Sequence, residues 1–176
     1  MNLQNITLIS FGNFDTNFLK KIAENIHGEF FSTVKIKEGH FDLSDFYDPA
    51  RRQYNANNIL NQLENQYATN NEKIIGLFNV DLYIPIFTYI FGQAFLNGRS
   101  GIASLYRLSN ERYGIEADEM LLLERFSKEI IHELGHTFGL IHCHLPDCVM
   151  RSVTYVEDID QKNSSPCPLC RNKLLL

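Results

Sequence analysis

The N-terminal part of the chain alternates short apolar runs with stretches whose apolar residues recur at helical spacing. NITLISFG (5–12) is rich in branched residues and predicts a strand that ends at Gly12. Asp15 can then cap a helix. One side of that helix carries Phe18, Leu19, Ile22 and Ile26. A second extended segment is predicted over 29–39, and the polar, aromatic and proline-interrupted residues 40–54 are expected to form a loop.

The middle of the chain predicts a second helix and three more strands. The helix covers 55–67, with Ile59, Leu60 and Leu63 at helical spacing. The strands are expected over 73–84, 88–95 and 101–108, the last two joined by a turn. A long helical pattern then runs from Glu116 to Phe138. This order predicts a mixed α/β (α+β) fold, in which helices pack on a mixed sheet.

Regular patterning fades after Gly139. We therefore expect one domain over 1–176, with a sheet-and-helix part over about 1–139 and an irregular C-terminal lobe over about 140–176. All four cysteines lie in that lobe, where they are expected to hold metal.

The net charge and the hydropathy of the chain restrict the classes of molecule that it is expected to bind. The net charge is -5, with 16 Lys+Arg against 21 Asp+Glu and no dense basic run, which argues against nucleic acid. The N-terminus carries neither a basic leader nor a long apolar stretch. No window approaches the roughly 18 apolar residues that a membrane span needs. We expect a cytoplasmic protein that binds neither nucleic acid nor membrane.

The strongest chemical signal is HELGHTFGLIH, residues 132–142. His132 and His136 are about one helical turn apart, so both imidazoles share a face. In a continuous helix His142 would lie about 15 Å further along the axis than His132. Gly139 can end the helix in the left-handed conformation and let the chain turn back, so that His142 meets the same ion. The spacing predicts a three-histidine metal site.

Three neutral imidazoles suit zinc and leave a fourth position open for water, whose pKa zinc lowers to about 7. Glu133 lies about 100° around the helix from His132, so it can reach a zinc-bound water without being a ligand. It is predicted to act as the general base and to pass the proton to the leaving amine. The reaction that these groups assemble is amide hydrolysis without a covalent intermediate.

The cysteines predict a second metal site. They form two pairs, Cys143 with Cys148 and Cys167 with Cys170. Neighbouring side chains of an extended segment point to opposite sides, so His142 can face one ion while Cys143 faces another. Four thiolates make a closed tetrahedral site for structural zinc. A redox pair in CPLC and a set of disulfides are the alternatives, and the absence of a leader argues against the second.

Together these residues resemble the archaemetzincins, a branch of the metzincin zinc peptidases. In that family the zinc-binding string runs directly into a cysteine, followed by a second cysteine, a methionine and a C-x-x-C pair. The same order holds here over 132–170, and VDLYIP and FGQA upstream are similar as well. The resemblance implies a zinc-dependent metallopeptidase that acts on peptides or proteins and binds two zinc ions per chain.

The resemblance assigns the roles residue by residue. The catalytic zinc ligands are His132, His136 and His142, the general base is Glu133, and the structural zinc ligands are Cys143, Cys148, Cys167 and Cys170. Met150 matches the methionine of the Met-turn, an apolar floor beneath the histidines. The implied fold is a twisted mixed sheet above a cleft, with the zinc helix below. Residues 88–95 would form the upper rim, where an extended peptide can add as an antiparallel strand.

One position departs from a pattern found in some metzincins, which place a tyrosine two residues after that methionine. Here Ser152 stands there and Tyr155 is out of register, so we assign no side chain to oxyanion stabilisation. Two other functions fit the same residues: a non-catalytic zinc-stabilised peptide-binding protein, and a zinc hydrolase of a small non-peptide amide. Glu133 argues against the first, because a pure binding site has no chemical need for a carboxylate beside the metal.

Overall fold

A computed structural model describes residues 5–174 of the chain. The first four and last two residues of the domain predicted over 1–176 therefore lie outside the described part. Its principal strands are β1 (Asn5–Ser10), β2 (Val34–Glu38), β3 (Tyr47–Asp48), β4 (Gln53–Asn55), β5 (Glu72–Phe78), β6 (Leu82–Tyr83), β7 (Gly92–Ala94) and β8 (Ser100–Ser104). The α-helices are α1 (Thr16–Phe30), α2 (Ala56–Tyr67), α3 (Glu119–Thr137), α4 (Val156–Gln161) and α5 (Pro168–Leu174).

The main sheet has five strands in the order β2-β1-β5-β8-β7. The first four are mutually parallel, and β7 pairs antiparallel with β8 at one edge. Strands β3, β4 and β6 form a second, three-stranded sheet. The predicted mixed sheet with packed helices is therefore confirmed.

Two apolar clusters cover the two faces of the main sheet. One joins β1 and β5 to α1, α3 and the C-terminal lobe, and includes Leu8, Ile26, Phe126 and Met150. The other joins β1 and β5 to α2 through residues such as Ile9, Ile59 and Phe78. The helices sit where their apolar faces meet the sheet, because burying those faces is the main favourable term in folding. Helix α3, which carries the first two histidines, is thereby held directly beneath β7 and β8.

The predicted helices begin where capping residues satisfy free backbone N–H groups. Asp15 accepts a hydrogen bond from Phe18 N (2.8 Å), Asn55 from Asn58 N (3.3 Å) and Asp118 from Leu121 N (2.9 Å). Helix α3 therefore begins at Glu119, three residues later than the predicted start at Glu116.

Several predicted boundaries were wrong. Residues 29 and 30 complete α1, which ends at Phe31 in the left-handed conformation (φ 53°), so β2 begins only at Val34. The loop predicted over 40–54 contains the short pair β3 and β4. Its turn is closed by the Asp48 carboxylate, which accepts hydrogen bonds from Ala50 N and Arg51 N. The strand predicted over 73–84 is divided, and its last part pairs with β4 in the second sheet.

The C-terminal lobe is more regular and more buried than predicted. It contains α4 and α5, and it contributes Leu140, Val149, Val156 and Ile159 to the larger apolar cluster. Helices of six or seven residues give too few repeats for a period to be recognised in the sequence. Within residues 5–174, no helix is long and apolar enough to cross a membrane.

Candidate active site and metal centres

The structure brings the three predicted histidines together. His132 and His136 lie in the last turns of α3, with their Nε2 atoms 3.1 Å apart. His142 reaches them from the following segment, so that one ring nitrogen from each residue lies within 4.8 Å of the other two. Three convergent imidazole nitrogens are a donor set that zinc accepts.

The orientation of two imidazoles is fixed by backbone carbonyls. His132 Nδ1 lies 2.8 Å from Val149 O, and His136 Nδ1 lies 2.7 Å from Leu140 O. A carbonyl oxygen can only accept, so each Nδ1 carries the hydrogen and each Nε2 keeps its lone pair free. Metal-binding histidines typically show this arrangement, in which the second nitrogen fixes the tautomer and the ring plane.

His142 reaches the site because α3 ends as predicted. Gly139 has a φ of 90°, a left-handed value that glycine adopts at little cost. Gly139 N donates to His136 O and Leu140 N donates to Gly135 O, both at 2.9 Å. These two hydrogen bonds form a Schellman motif, which ends the helix and reverses the chain.

Met150 lies directly beneath the histidines and is fully buried. A Cβ placed on Gly135, between His132 and His136, would come 2.4 Å from Met150 Sδ, so the helix and the methionine pack in closer contact than any other residue at 135 would allow. Met150 O also accepts a hydrogen bond from Cys143 N (2.9 Å), next to His142. The segment around Met150 therefore contacts α3 between the first two histidines and the backbone next to the third.

Glu133 points into the same site and is almost completely buried. Its Oε2 atom has no N–H or hydroxyl donor beside it among the described residues, and the carboxyls of Glu129 and Glu133 lie close enough to share a proton. Burial and the neighbouring Glu129 carboxylate raise the pKa of Glu133 well above its usual value, and Lys162 opposes that rise. A divalent cation bound beside the carboxylate would act in the same direction as Lys162. An unpaired buried oxygen next to the histidines suits a group that handles a proton at a bound water.

The histidines favour the neutral form that metal binding needs. Burial lowers the pKa of all three, and the lowering is largest for His132. The Lys162 ammonium adds to the effect at each of them. Neutral imidazoles present a lone pair at physiological pH without first losing a proton.

A cleft of about 540 Å³ opens over this site. Its upper rim includes β7, and its lower rim is formed by residues 152–155. Tyr89 joins the two rims, because its hydroxyl donates to Thr154 O at 2.9 Å. The predicted position of 88–95 beside the histidines is thus found, although only Gly92–Ala94 is a strand. Ser152 and Tyr155 both line the cleft.

The sequence did not indicate the importance of Gly92. A Cβ at this position would come 2.7 Å from Ile102 O in β8 and 2.8 Å from both Cγ and Oε1 of Glu133, so the absence of a side chain makes room for the neighbouring strand and for the carboxylate beneath β7. The sequence analysis also did not identify Glu129, which lines the cleft one helical turn before Glu133. The i, i+4 spacing of these two glutamates was the available signal.

The four cysteines form a second cluster, separate from the histidines. Their sulfur atoms lie within 4.8 Å of one another, and no disulfide joins them. Cys143 Sγ is 3.8 Å from Cys167 Sγ, and Cys167 N donates to Cys148 Sγ at 3.2 Å. The predicted division between His142 and Cys143 is therefore found, with adjacent residues facing different clusters.

The protonation of the thiols also suits a cation. Burial alone would raise the pKa of Cys167, but hydrogen bonds from the Cys170 backbone and the neighbouring thiols lower it to about 7. Burial and the contact with Cys167 raise the pKa of Cys170. The cluster thus favours a thiolate at one position and holds protons at others. A metal ion that replaced those protons would satisfy all four sulfurs.

Comparison with known proteins identifies the class. Archaemetzincin from Pyrococcus horikoshii is 38% identical over 164 residues, which cover 90% of this chain and 86% of the relative. The crystal structure of archaemetzincin from Methanopyrus kandleri matches with a TM-score of 0.86 at 30% identity, covering 99% of this chain and 94% of that chain. A second archaemetzincin structure, from Archaeoglobus fulgidus in complex with malonate, matches with a TM-score of 0.80 at 30% identity, covering 96% of this chain and 99% of that chain.

The fold and the metal-capable clusters thus define a zinc-dependent metallopeptidase. Residues 20–175 match the family described as peptidase family M54, and the chain belongs to that family, the archaemetzincins. The predicted family, enzyme class and fold are confirmed. The roles of individual residues and the number of zinc ions are proposals.

Proposed function

We propose that His132, His136 and His142 hold a catalytic zinc ion and that Glu133 is the general base of peptide hydrolysis. The observation that carries this proposal is the convergence of three free imidazole nitrogens within 4.8 Å, beside a buried carboxylate with an unpaired oxygen. Each feature is costly in isolation, because buried polar atoms without partners destabilise a fold. Their presence at one place supports a functional role.

A zinc ion held by His132, His136 and His142 would polarise a peptide carbonyl and lower the pKa of a nearby water molecule. Glu133 would accept the proton of the attacking water and later donate it to the leaving amine. The carboxylate stays in reach because it lies beneath Gly92 and beside His132 on the same helix. The buried surroundings exclude bulk water from the carboxylate, which strengthens its interaction with charge that develops at the reacting atoms.

The substrate is a peptide or protein segment in extended form. Strand β7 is one of the two edge strands of the main sheet as described over residues 5–174, and it borders the cleft. An extended segment can pair with such an edge through its main chain, which recognises peptides with little regard to sequence. The net charge of -5 supports substrates other than nucleic acid, and the cytoplasm remains the expected compartment.

Cys143, Cys148, Cys167 and Cys170 hold a second zinc ion with a structural role. Four thiolates close the coordination shell and leave no position for a substrate. Cys143 follows His142 directly, and Cys148 is separated from Met150 by one residue. An ion at the cysteines therefore restrains the backbone that directly follows His142 and the segment around Met150.

Hydrolysis of a diverse peptide library by the zinc-loaded chain tests the proposal. Glu133→Gln should keep its zinc and lose activity by roughly 10²–10⁴, the range expected for removal of a general base. A chelator should abolish the wild-type activity, and added zinc should restore it. Wild-type activity in Glu133→Gln would refute the assignment. Cleavage of small amides without cleavage of any peptide would instead favour the non-peptide hydrolase, and binding without cleavage would favour the peptide-binding protein.

A further inference from the structure

Lys162 is among the most buried side chains of the chain, with 2% of its surface exposed. It follows the last residue of α4, and its ammonium group donates to Val149 O at 2.9 Å and to Arg151 O at 3.3 Å. These two carbonyls flank Met150. A buried ammonium costs several kcal/mol of desolvation in proteins, so its placement here needs a compensating role.

One of these carbonyls is shared with the histidine cluster. Val149 O accepts from Lys162 Nζ and also from His132 Nδ1, which lies 2.8 Å away. A carbonyl oxygen has two lone pairs and can accept both hydrogen bonds. The position of Val149 O determines the plane of the His132 ring, so a group that fixes this oxygen also fixes the direction of His132 Nε2.

We propose that Lys162 is a positioning residue for the catalytic site, because its ammonium holds the two carbonyls around Met150 and thereby orients His132. The proposal rests on the proposed function of the histidines as zinc ligands. Lys162 does not touch the ion or the substrate. It acts through Val149 O on one zinc-binding side chain and through the Met150 segment on the floor of the site.

The fold holds Lys162 firmly enough for this role. Helix α4 is attached to α3 by Arg125, which donates to both carboxylate oxygens of Asp160 at 2.7 Å. Lys128 Nζ donates to Ile159 O at 3.1 Å. Both contacts lie within three residues of Lys162, so the backbone of Lys162 cannot move independently of α3.

A second role, charge balance, must be separated from positioning. Burial raises the pKa of Glu129 and of Glu133, and the Lys162 ammonium opposes the rise at both carboxyls. If balancing those carboxylates were its only role, removal of one carboxylate charge should compensate for removal of the ammonium. If Lys162 positions Val149 O, removal of the carboxylate charge restores stability but does not restore the site.

Lys162→Met, Glu129→Gln and the double variant distinguish these roles. Lys128→Met is the matched control, because Lys128 is also buried (3% exposed) and also donates to a carbonyl, but one in α4 and not beside Met150. Four properties are measured for each chain. They are urea unfolding, zinc affinity of the site that His136→Ala abolishes, the visible spectrum of cobalt bound there, and kcat and KM for one peptide.

We expect Lys162→Met to weaken zinc at the histidines by about 10–100-fold, the range seen when a group that orients a metal ligand is lost. Its cobalt spectrum should change, and kcat should fall more than KM rises. The double variant should recover resistance to urea but keep the weakened zinc affinity. Lys128→Met should lose stability only, because the Arg125–Asp160 ion pair still attaches α4 to α3 and keeps Lys162 in place. Recovery of zinc affinity and spectrum in the double variant, or wild-type values in Lys162→Met, would overturn the proposal.

Two further results keep the test decisive. If Lys162→Met fails to fold, Lys162→Gln supplies a neutral donor on a side chain one atom shorter, which cannot hold both carbonyls, and a wild-type cobalt spectrum in that variant would overturn the proposal. If His136→Ala binds as much zinc as the wild type, the proposed zinc ligands are wrong. That outcome is distinct from a Lys162 variant that leaves a real histidine site unaffected.

Discussion

Replacement of Gly135 by alanine separates the ordinary behaviour of a helix from the packing beneath this site. An interior glycine is about 1 kcal/mol less favourable than alanine in a helix, so Gly→Ala usually stabilises. At Gly135 the new Cβ would lie 2.4 Å from Met150 Sδ, 3.0 Å from Met150 Cε and 3.4 Å from Leu140 Cδ1. Nonbonded carbons prefer separations of about 3.5–4.0 Å, so the sulfur must move by roughly 1 Å or more.

That displacement has little room, because Met150 is fully buried. Overpacking of a dense core costs about 1–3 kcal/mol. Set against the gain of about 1 kcal/mol from helix propensity, the net effect should lie between neutrality and a loss of about 2 kcal/mol. The shift of Met150 should also reach His132 through Val149 O, so zinc at the histidines should weaken.

Urea unfolding and zinc competition measure both effects. Gly28→Ala is the matched control, because Gly28 lies in α1 and a Cβ there meets nothing within 4 Å. The control should gain up to about 1 kcal/mol and bind zinc normally. If Gly135→Ala is stabilised as much as Gly28→Ala and binds zinc with wild-type affinity, then Met150 does not form a fixed floor for the site.

Three further predictions concern the cleft and the cysteines. Gly92→Ala should displace Glu133 and lower kcat about 10²-fold while zinc stays bound, because a small misplacement of a reacting group has an effect of that size. Measurement of kcat together with metal content tests this prediction, and an unchanged kcat would contradict it. Cys170→Ser should loosen the backbone beyond Gly139 and weaken zinc at His142, as seen by amide exchange and zinc competition. In the wild type, stepwise chelation should empty the open histidine site before the closed cysteine site, and the reverse order would argue against a structural role.

The histidine cluster could be predicted because its geometry is local. His132 and His136 share a helix face, and Gly139 ends that helix within a few residues, so the spacing alone indicates the convergence of all three rings. The separation of the cysteine cluster from the histidines could also be predicted, because Cys143 is adjacent to His142 and alternation along an extended segment places the two side chains on different sides. The buried faces of α1 and α2 could be predicted as well, because the apolar residues that recur at helical spacing in each helix are the ones that are buried.

The groups that support the site could not be predicted, because they depend on contacts between distant segments. Lys162 reaches Val149 O only after α4 has packed on α3, and no local pattern marks that packing. Gly92 makes room for Glu133 only because β7 crosses above α3. Met120 lies within the long helical pattern but is 83% exposed, because it is the second residue of α3 and the first turn of that helix lies outside the core.

The zinc content of wild type and His136→Ala, measured by elemental analysis of the folded chains, tests the central claim most directly. The account predicts two zinc ions per wild-type chain and one per His136→Ala chain. The variant should keep its fold, since the remaining ion at the cysteines is the one that restrains the C-terminal lobe, and it should lose peptide hydrolysis. A wild type with no more than one zinc, or a His136→Ala chain that still binds two, would contradict the assignment of the histidines as the catalytic metal site.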